Sequence, residues 1–111
     1  MQELNIKAGM PSVDEARRIL LDSLHSARVG GIRLLKVIHG HGSSGVGGKL
    51  RGALRRSLVV WKKEGAIKGF IPGEEWGLFN GEARTLCERF PSLRDDPDYN
   101  RENPGVTIVE L

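Results

Sequence analysis

The sequence predicts an α/β domain whose elements run β-α-β-α-β-β, in two layers around one core with a mostly parallel or mixed open sheet. Three observations predict it. Strand-like runs alternate with helical ones, the pattern that forces crossover connections. The chain has 111 residues, with 39% hydrophobic and 28% charged, close to ordinary globular domains. Aromatic residues make up only 5%, so the core is expected to be aliphatic.

The elements follow in order. Residues 3–7 (Glu3-Leu4-Asn5-Ile6-Lys7) alternate polar and apolar, the period of a half-buried strand, and Ala8-Gly9-Met10-Pro11 ends it. Ser12 and Glu15 form a capping-box pair. Val13, Ala16, Leu20, Leu24 and Ala27 then recur at helical spacing, giving a helix from Val13 to Arg28 that stops at Gly30-Gly31. Ile32 to Ile38 is a short apolar run broken only by Arg33 and Lys36, expected to be a strand buried on both faces.

Five of the ten residues from His39 to Gly48 are glycine. A second helix is expected from Lys49 to Lys63, with Leu50, Ala53, Leu54, Leu58 and Trp61 on its buried arc. Its six basic residues, Lys49, Arg51, Arg55, Arg56, Lys62 and Lys63, share the solvent arc. Ala66 to Ile71 reads as a third strand, and Pro72 to Asn80 as a loop carrying Trp76 and Phe79, both expected as satellite core. Gly81 to Phe90 has modest helical character, Pro91 to Pro104 is polar, and Val106 to Val109 closes the sheet. The whole stretch 73–104 is expected as an irregular excursion on a single domain spanning 1–111.

Several classes are excluded. No apolar run approaches the roughly 20 residues of a membrane span, so no membrane partner is expected. Met1-Gln2-Glu3-Leu4 lacks the features of a signal peptide. The lone Cys87 cannot form an intramolecular disulfide and suits a reducing, cytoplasmic setting.

Charge is distributed unevenly. Residues 23–63 hold nine bases and no acid, together with all three histidines, His25, His39 and His41. Residues 64–111 hold ten acids and five bases. A one-signed block repels itself unless it faces a polyanion, and phosphodiester backbones are the commonest kind. The plainer alternative is that acids of the C-terminal third fold back and neutralise it.

The glycine-rich loop admits three readings. Gly40-His41-Gly42-Ser43-Ser44-Gly45 matches the dinucleotide fingerprint, but it follows the second strand and has no acid closing the next one. A P-loop fails because Ser43 stands at the first glycine position and Leu50 where a hydroxyl must bind magnesium. The third reading is a phosphate site built from loop amides with Lys49 in the first helical turn. A bare tight turn is the plain alternative, though it needs fewer glycines. His39 and His41 have no acidic residue in their segment to complete a metal site, so no structural metal is expected.

Taken together, these residues resemble the Smr (small MutS-related) domain family. Ile38-His39-Gly40-His41-Gly42 and Gly105 to Leu111 carry the resemblance most specifically, and Phe70-Ile71-Pro72-Gly73 adds to it. The resemblance implies a two-layer α/β sandwich with a sheet of mixed direction. It also implies binding of DNA or RNA, endonuclease activity in some members, and links to DNA repair, recombination control or stalled ribosomes. The family's His-Gly-x-Gly motif falls on His39, Gly40 and Gly42, with His41 at the variable place. Its Leu-Asp-x-His motif falls on Leu4-Asn5-Ile6-Lys7, where the acid is Asn5 and the histidine is Lys7.

That departure removes a carboxylate and an imidazole implicated in cleavage and leaves an amide and a cation. Two hypotheses result. In the first the chain binds backbone phosphates through Asn5, Lys7, His39, Gly40, His41, Gly42 and Lys49, extended by Arg51, Arg55 and Arg56, with cleavage weak or lost. In the second it is an endonuclease using His39 or His41 as acid or base, for which a magnesium ion would be the expected cofactor. A third, weaker idea is a protein partner held by the Trp76-Phe79 loop and the acidic excursion.

Overall fold

The computed structural model describes residues 1–42 and 46–111. Four strands and three helices alternate: β1 (Gln2–Asn5), α1 (Val13–Val29), β2 (Leu34–Ile38), α2 (Val46–Lys63), β3 (Gly69–Pro72), α3 (Gly81–Arg89) and β4 (Val106–Glu110). The sheet order is β1-β2-β4-β3, with β1 parallel to β2 and β4 antiparallel to both neighbours. This is the mixed α/β fold that the alternating pattern predicts. Asn5 pairs with Ile38, Ile38 with Val106, and Pro72 with Thr107. The carboxyl ends of β1, β2 and β3 therefore meet the start of β4 at one end of the sheet.

Helix α1 begins where the capping box places it. The Ser12 hydroxyl accepts from the Glu15 N–H at 3.2 Å and donates to the Glu15 carboxylate at 2.9 Å. Leu20 and Leu24 of α1 and Leu50, Leu54 and Leu58 of α2 are buried against Leu35, Val37 and Val109 of the sheet. Nearly all of this first core is aliphatic. None of the three helices is long and apolar enough to cross a membrane, among the described residues.

The other sheet face is covered too. Leu34, Ile71 and Ile108 pack against Trp76, Ala83, Leu86, Cys87 and Leu93. The stretch 73–104, expected to be an irregular excursion, is instead an ordered cover made of α3 and two short 3₁₀ turns, Gly73–Glu75 and Pro91–Asp95. Asn80 caps α3 by accepting from the Ala83 N–H at 2.9 Å.

Lys36 explains how this cover is tied down. It stands in the middle of β2, 3% exposed, on the face turned to the excursion. Its ammonium reaches Asp96 at 3.0 Å and also bonds Asp98. Trp76 donates its indole N–H to Asp96 at 3.1 Å, and Tyr99 meets the Trp76 ring edge-on. Burial alone would lower the Lys36 pKa, but the bonds and charges of Asp98 and Asp96 outweigh it and hold the amine above its usual value. Trp76 is core as expected. Phe79 is not: it is 97% exposed, because the turn that buries Trp76 points Phe79 outward.

Candidate nucleic-acid interface

A cleft of about 450 Å³ opens at the sheet end where β1 and β2 finish. Lys7, Gly40, His41, Gly42, Asn103 and Gly105 line it, with the buried His39 and Leu50 at its base. No carboxylate is among the lining residues. Lys7 reaches the cleft because β1 stops at Asn5 and a 3₁₀ turn, Lys7–Gly9, follows. Asn5 makes that turn, its side-chain oxygen accepting from the Ala8 N–H at 3.1 Å. Asn5 is thus a turn former beside the cleft and does not line it.

The loop after β2 is fixed by β4. Both the His39 and Gly40 N–H groups donate to the Gly105 carbonyl at 3.0 Å. Gly40 has φ +77°, open to glycine and costly for other residues. Gly105 is closely enclosed for a different reason: a Cβ there would stand 3.2 Å from the His41 ring and 3.1 Å from the Asn103 side chain, so one of them would have to give way to it. Its absence lets His41 lie against the start of β4 while staying exposed. Residues 43–45, the remainder of the glycine motif, lie outside the described residues.

The two loop histidines differ completely. His39 is fully buried, and both ring nitrogens are engaged. Nδ1 lies 2.7 Å from the Gly40 carbonyl, which can only accept, so Nδ1 carries the proton. Nε2, 2.8 Å from the Thr107 hydroxyl, is then the acceptor. Thr107 in turn accepts from Arg55 Nε at 3.1 Å, and the Arg55 guanidinium forks onto Glu74 at 2.8 and 3.0 Å. Burial, with the Arg55 and Arg51 charges adding to it, pushes the His39 pKa down to about 4 against an opposing bond to Gly40. His39 is a neutral imidazole at pH 7. It braces the loop from beneath and does not face the cleft as an open phosphate ligand.

Arg55 departs from its expected place. Helical periodicity put it on the solvent face of α2, but its side chain is 18% exposed and donates to Glu74, Thr107 and the Pro104 and Val106 carbonyls. Burial works to raise the Glu74 pKa, but the Arg55 bond and charge outweigh it and hold the carboxyl below its usual value. Lys36 is likewise removed from the basic block. Folded-back acids therefore neutralise two of the nine bases. Lys49, Arg56, Lys62 and Lys63 remain exposed, Arg51 is half-buried, and none of the five makes an ion pair among the described residues. His25 is exposed on α1, away from the cleft lining.

Sequence reasoning missed Glu74, Asn103 and Thr107. One signal was present: Thr107 interrupts a closing strand that is otherwise apolar up to Val109, and a buried hydroxyl needs partners.

With a His-Gly-x-Gly turn seated between β2 and β4 and leading into α2, the sequence matches the model of the Smr domain over residues 8–75. The chain belongs to the Smr domain family. The match includes His39, Gly40 and Gly42, and stops short of both the first strand and the closing one. The fold is also that of the Smr domain of Thermus thermophilus MutS2, known from a crystal structure. That likeness has a TM-score of 0.61 and 22% identity, covering 100% of this chain and 98% of the other. A comparison with curated proteins finds no significant match. The Smr domain is a nucleic-acid-binding family of endonuclease type.

Proposed function

We propose that this Smr domain binds the phosphodiester backbone of DNA or RNA and cleaves it weakly or not at all. The observation that carries this reading is the make-up of the cleft. It presents a cation at Lys7, an exposed imidazole at His41 and the glycine backbone of Gly40 and Gly42, with no carboxylate among its described lining residues. Such a site attracts phosphate and has no acidic partner to orient a base or neutralise a second cation. Lys49, Arg51 and Arg56 continue the positive surface along α2, and Lys62 and Lys63 extend it.

A divalent metal does not suit these residues. His39 has no free ring nitrogen, and no carboxylate stands beside His41 in the cleft lining. No group of three or more His, Cys, Asp or Glu that could hold a metal occurs among the described residues.

The test is fluorescence anisotropy with labelled single-stranded, duplex and branched DNA and RNA, each mixture also run on a denaturing gel. Affinity should fall steeply between about 50 and 200 mM salt, with a log–log slope reflecting about four phosphates. A flat salt response defeats the binding reading. Robust cleavage that His41→Ala abolishes replaces it with the endonuclease reading.

A further inference from the structure

A second concave site, of about 380 Å³, lies on the excursion and is not part of the cleft. Its walls include Leu78, Phe79, Glu75 and Glu102, with Glu74 shared with Arg55. Leu78 is 54% and Phe79 97% exposed. The loop that presents them is held tightly. The Leu78 N–H donates to the Asn100 side chain at 2.7 Å, and the Leu78 carbonyl accepts from Arg84 at 2.8 Å. The Asn100 N–H donates to the Trp76 carbonyl at 2.9 Å. A Cβ on Gly77 would stand 2.6 Å from the Asn100 side chain, so any larger residue would displace the amide that holds Leu78. The aromatic ring at its tip gains no contact inside the chain from this ordering. Glu75 and Glu102 make no ion pair among the described residues. A rigid apolar anchor rimmed by carboxylates fits a helix face that is apolar along its middle and basic at its ends.

The chain carries such a face itself. Arg56, Val59, Val60 and Lys63 of α2 stand at i, i+3, i+4 and i+7, so they share one side of the helix. All four are exposed, Val59 by 43% and Val60 by 48%. The helix has no acidic residue. We propose that the Leu78-Phe79 site takes the Arg56–Lys63 face of α2 from a second copy of this chain. Phe79 and Leu78 pack on Val59 and Val60, while Glu75 and Glu102 meet Arg56 and Lys63. Glu75 also shares a hollow with Val59 and Lys63 of its own chain, so one patch carries both halves of the contact, and two copies related by a twofold axis exchange them in a small, reversible interface. Arg56 also belongs to the proposed phosphate footprint. Resting on the binding reading, association and nucleic-acid binding compete for that residue.

Sedimentation velocity without nucleic acid tests the contact. At roughly 200 µM protein and about 25 mM salt the weight-average mass should rise toward twice that of the monomer, and about 0.5 M salt should reverse it. Phe79→Ser should weaken association at least about tenfold; its exposure keeps the fold out of the result, and a thermal melt checks that. Glu75→Lys with Glu102→Lys, and separately Arg56→Glu with Lys63→Glu, should each be monomeric, while an equimolar mixture of the two should associate. A monomer throughout the wild-type series, or association unchanged in Phe79→Ser, overturns the proposal. Neither result depends on whether the cleft binds nucleic acid, which the anisotropy titration reads by itself.

Discussion

The two faces of the sheet are held by different physics. On the α1–α2 face, Leu20, Leu24, Leu50, Leu54 and Leu58 bury against Leu35, Val37 and Val109, and apolar packing fixes the layer with little polar help, chiefly the Arg17 bond to Ser57 at 3.2 Å. On the other face a smaller apolar cluster around Trp76 and Ile108 is fastened by charge, with Lys36 held by Asp96 and Asp98. At the site end Arg55 and Glu74 stitch α2 to the start of the excursion. A short helix and two 3₁₀ turns contribute a smaller cluster of buried residues than α1 and α2 do, so directional bonds add to the apolar contacts there. The site sits where the two regimes meet, with His39 and Thr107 joining β2 to β4 under the cleft.

The largest effects should come from breaking each face in its own way. Lys36→Ala removes one partner of a buried ion cluster and leaves two carboxylates uncompensated, at a cost of about 3–5 kcal/mol. Leu54→Ala should cost about 2–5 kcal/mol through its cavity. Urea unfolding checks both, and Lys36→Met with Asp96→Asn and Asp98→Asn should recover most of the loss. A cost below about 1 kcal/mol for Lys36→Ala would show that the excursion does not depend on charge.

That division also marks what the sequence could reveal. All the aliphatic elements were legible from periodicity, and their ends moved by only a few residues: α2 starts at Val46 instead of Lys49, and β3 runs Gly69–Pro72 instead of 66–71. Local patterns carry that information because one helix face must be apolar. Arg55 and His39 were misplaced, and the partners of Lys36 went unseen, for the same reason in reverse. Their partners, Asp96 and Asp98, Glu74, and Thr107, lie 19 to 68 residues away, and no local period encodes such pairings. A lysine inside a run expected to be buried on both faces was nevertheless a usable sign, since a buried ammonium must find an acid. Of the cleft, the glycine turn and Lys7 were readable, whereas Asn103 entered it only because the excursion folds back.

An intermediate effect should come from acid acting on the junction between the faces. Folded protein takes a proton on His39 only near pH 4, whereas the unfolded chain takes one near the ordinary 6.5. The stability that depends on neutral His39 is therefore complete above about pH 6.5 and is lost as pH falls toward 4. Between pH 7 and pH 5 the loss should be about 2 kcal/mol. Bonds from Asn103 and Lys36 outweigh burial at Asp98, and the Arg55 bond does so at Glu74, so both carboxyls titrate below their usual range. Their contributions fail only at lower pH, which leaves the His39 window clear. Melting curves at the two pH values, for wild type and His39→Gln, check this, and the variant should show a much flatter response. Equal wild-type stability at pH 5 and pH 7 would mean that the imidazole is not shielded.

The smallest energies separate two neighbours in sequence. Arg55 lies within the stitch between the faces, and Arg56 stands exposed on the outer side of α2. Arg55→Ala strips Glu74 and Thr107 of their shared partner and should cost about 1–3 kcal/mol of stability. Arg56→Ala touches no such network and should stay within about 0.5 kcal/mol of wild type. Nucleic-acid binding should rank them the other way. Loss of Arg56 removes a charge open to the backbone and should lower the log–log salt slope by about 1, equally for all sequences. Arg55, already neutralised by Glu74, releases no counterion on binding, so its loss should leave the slope alone at temperatures where the variant is folded. Anisotropy titrations across salt for both variants decide the point. A slope change in Arg55→Ala matching that in Arg56→Ala would show that the Glu74 pair opens on binding, and that the boundary between the structural face and the binding face is not fixed.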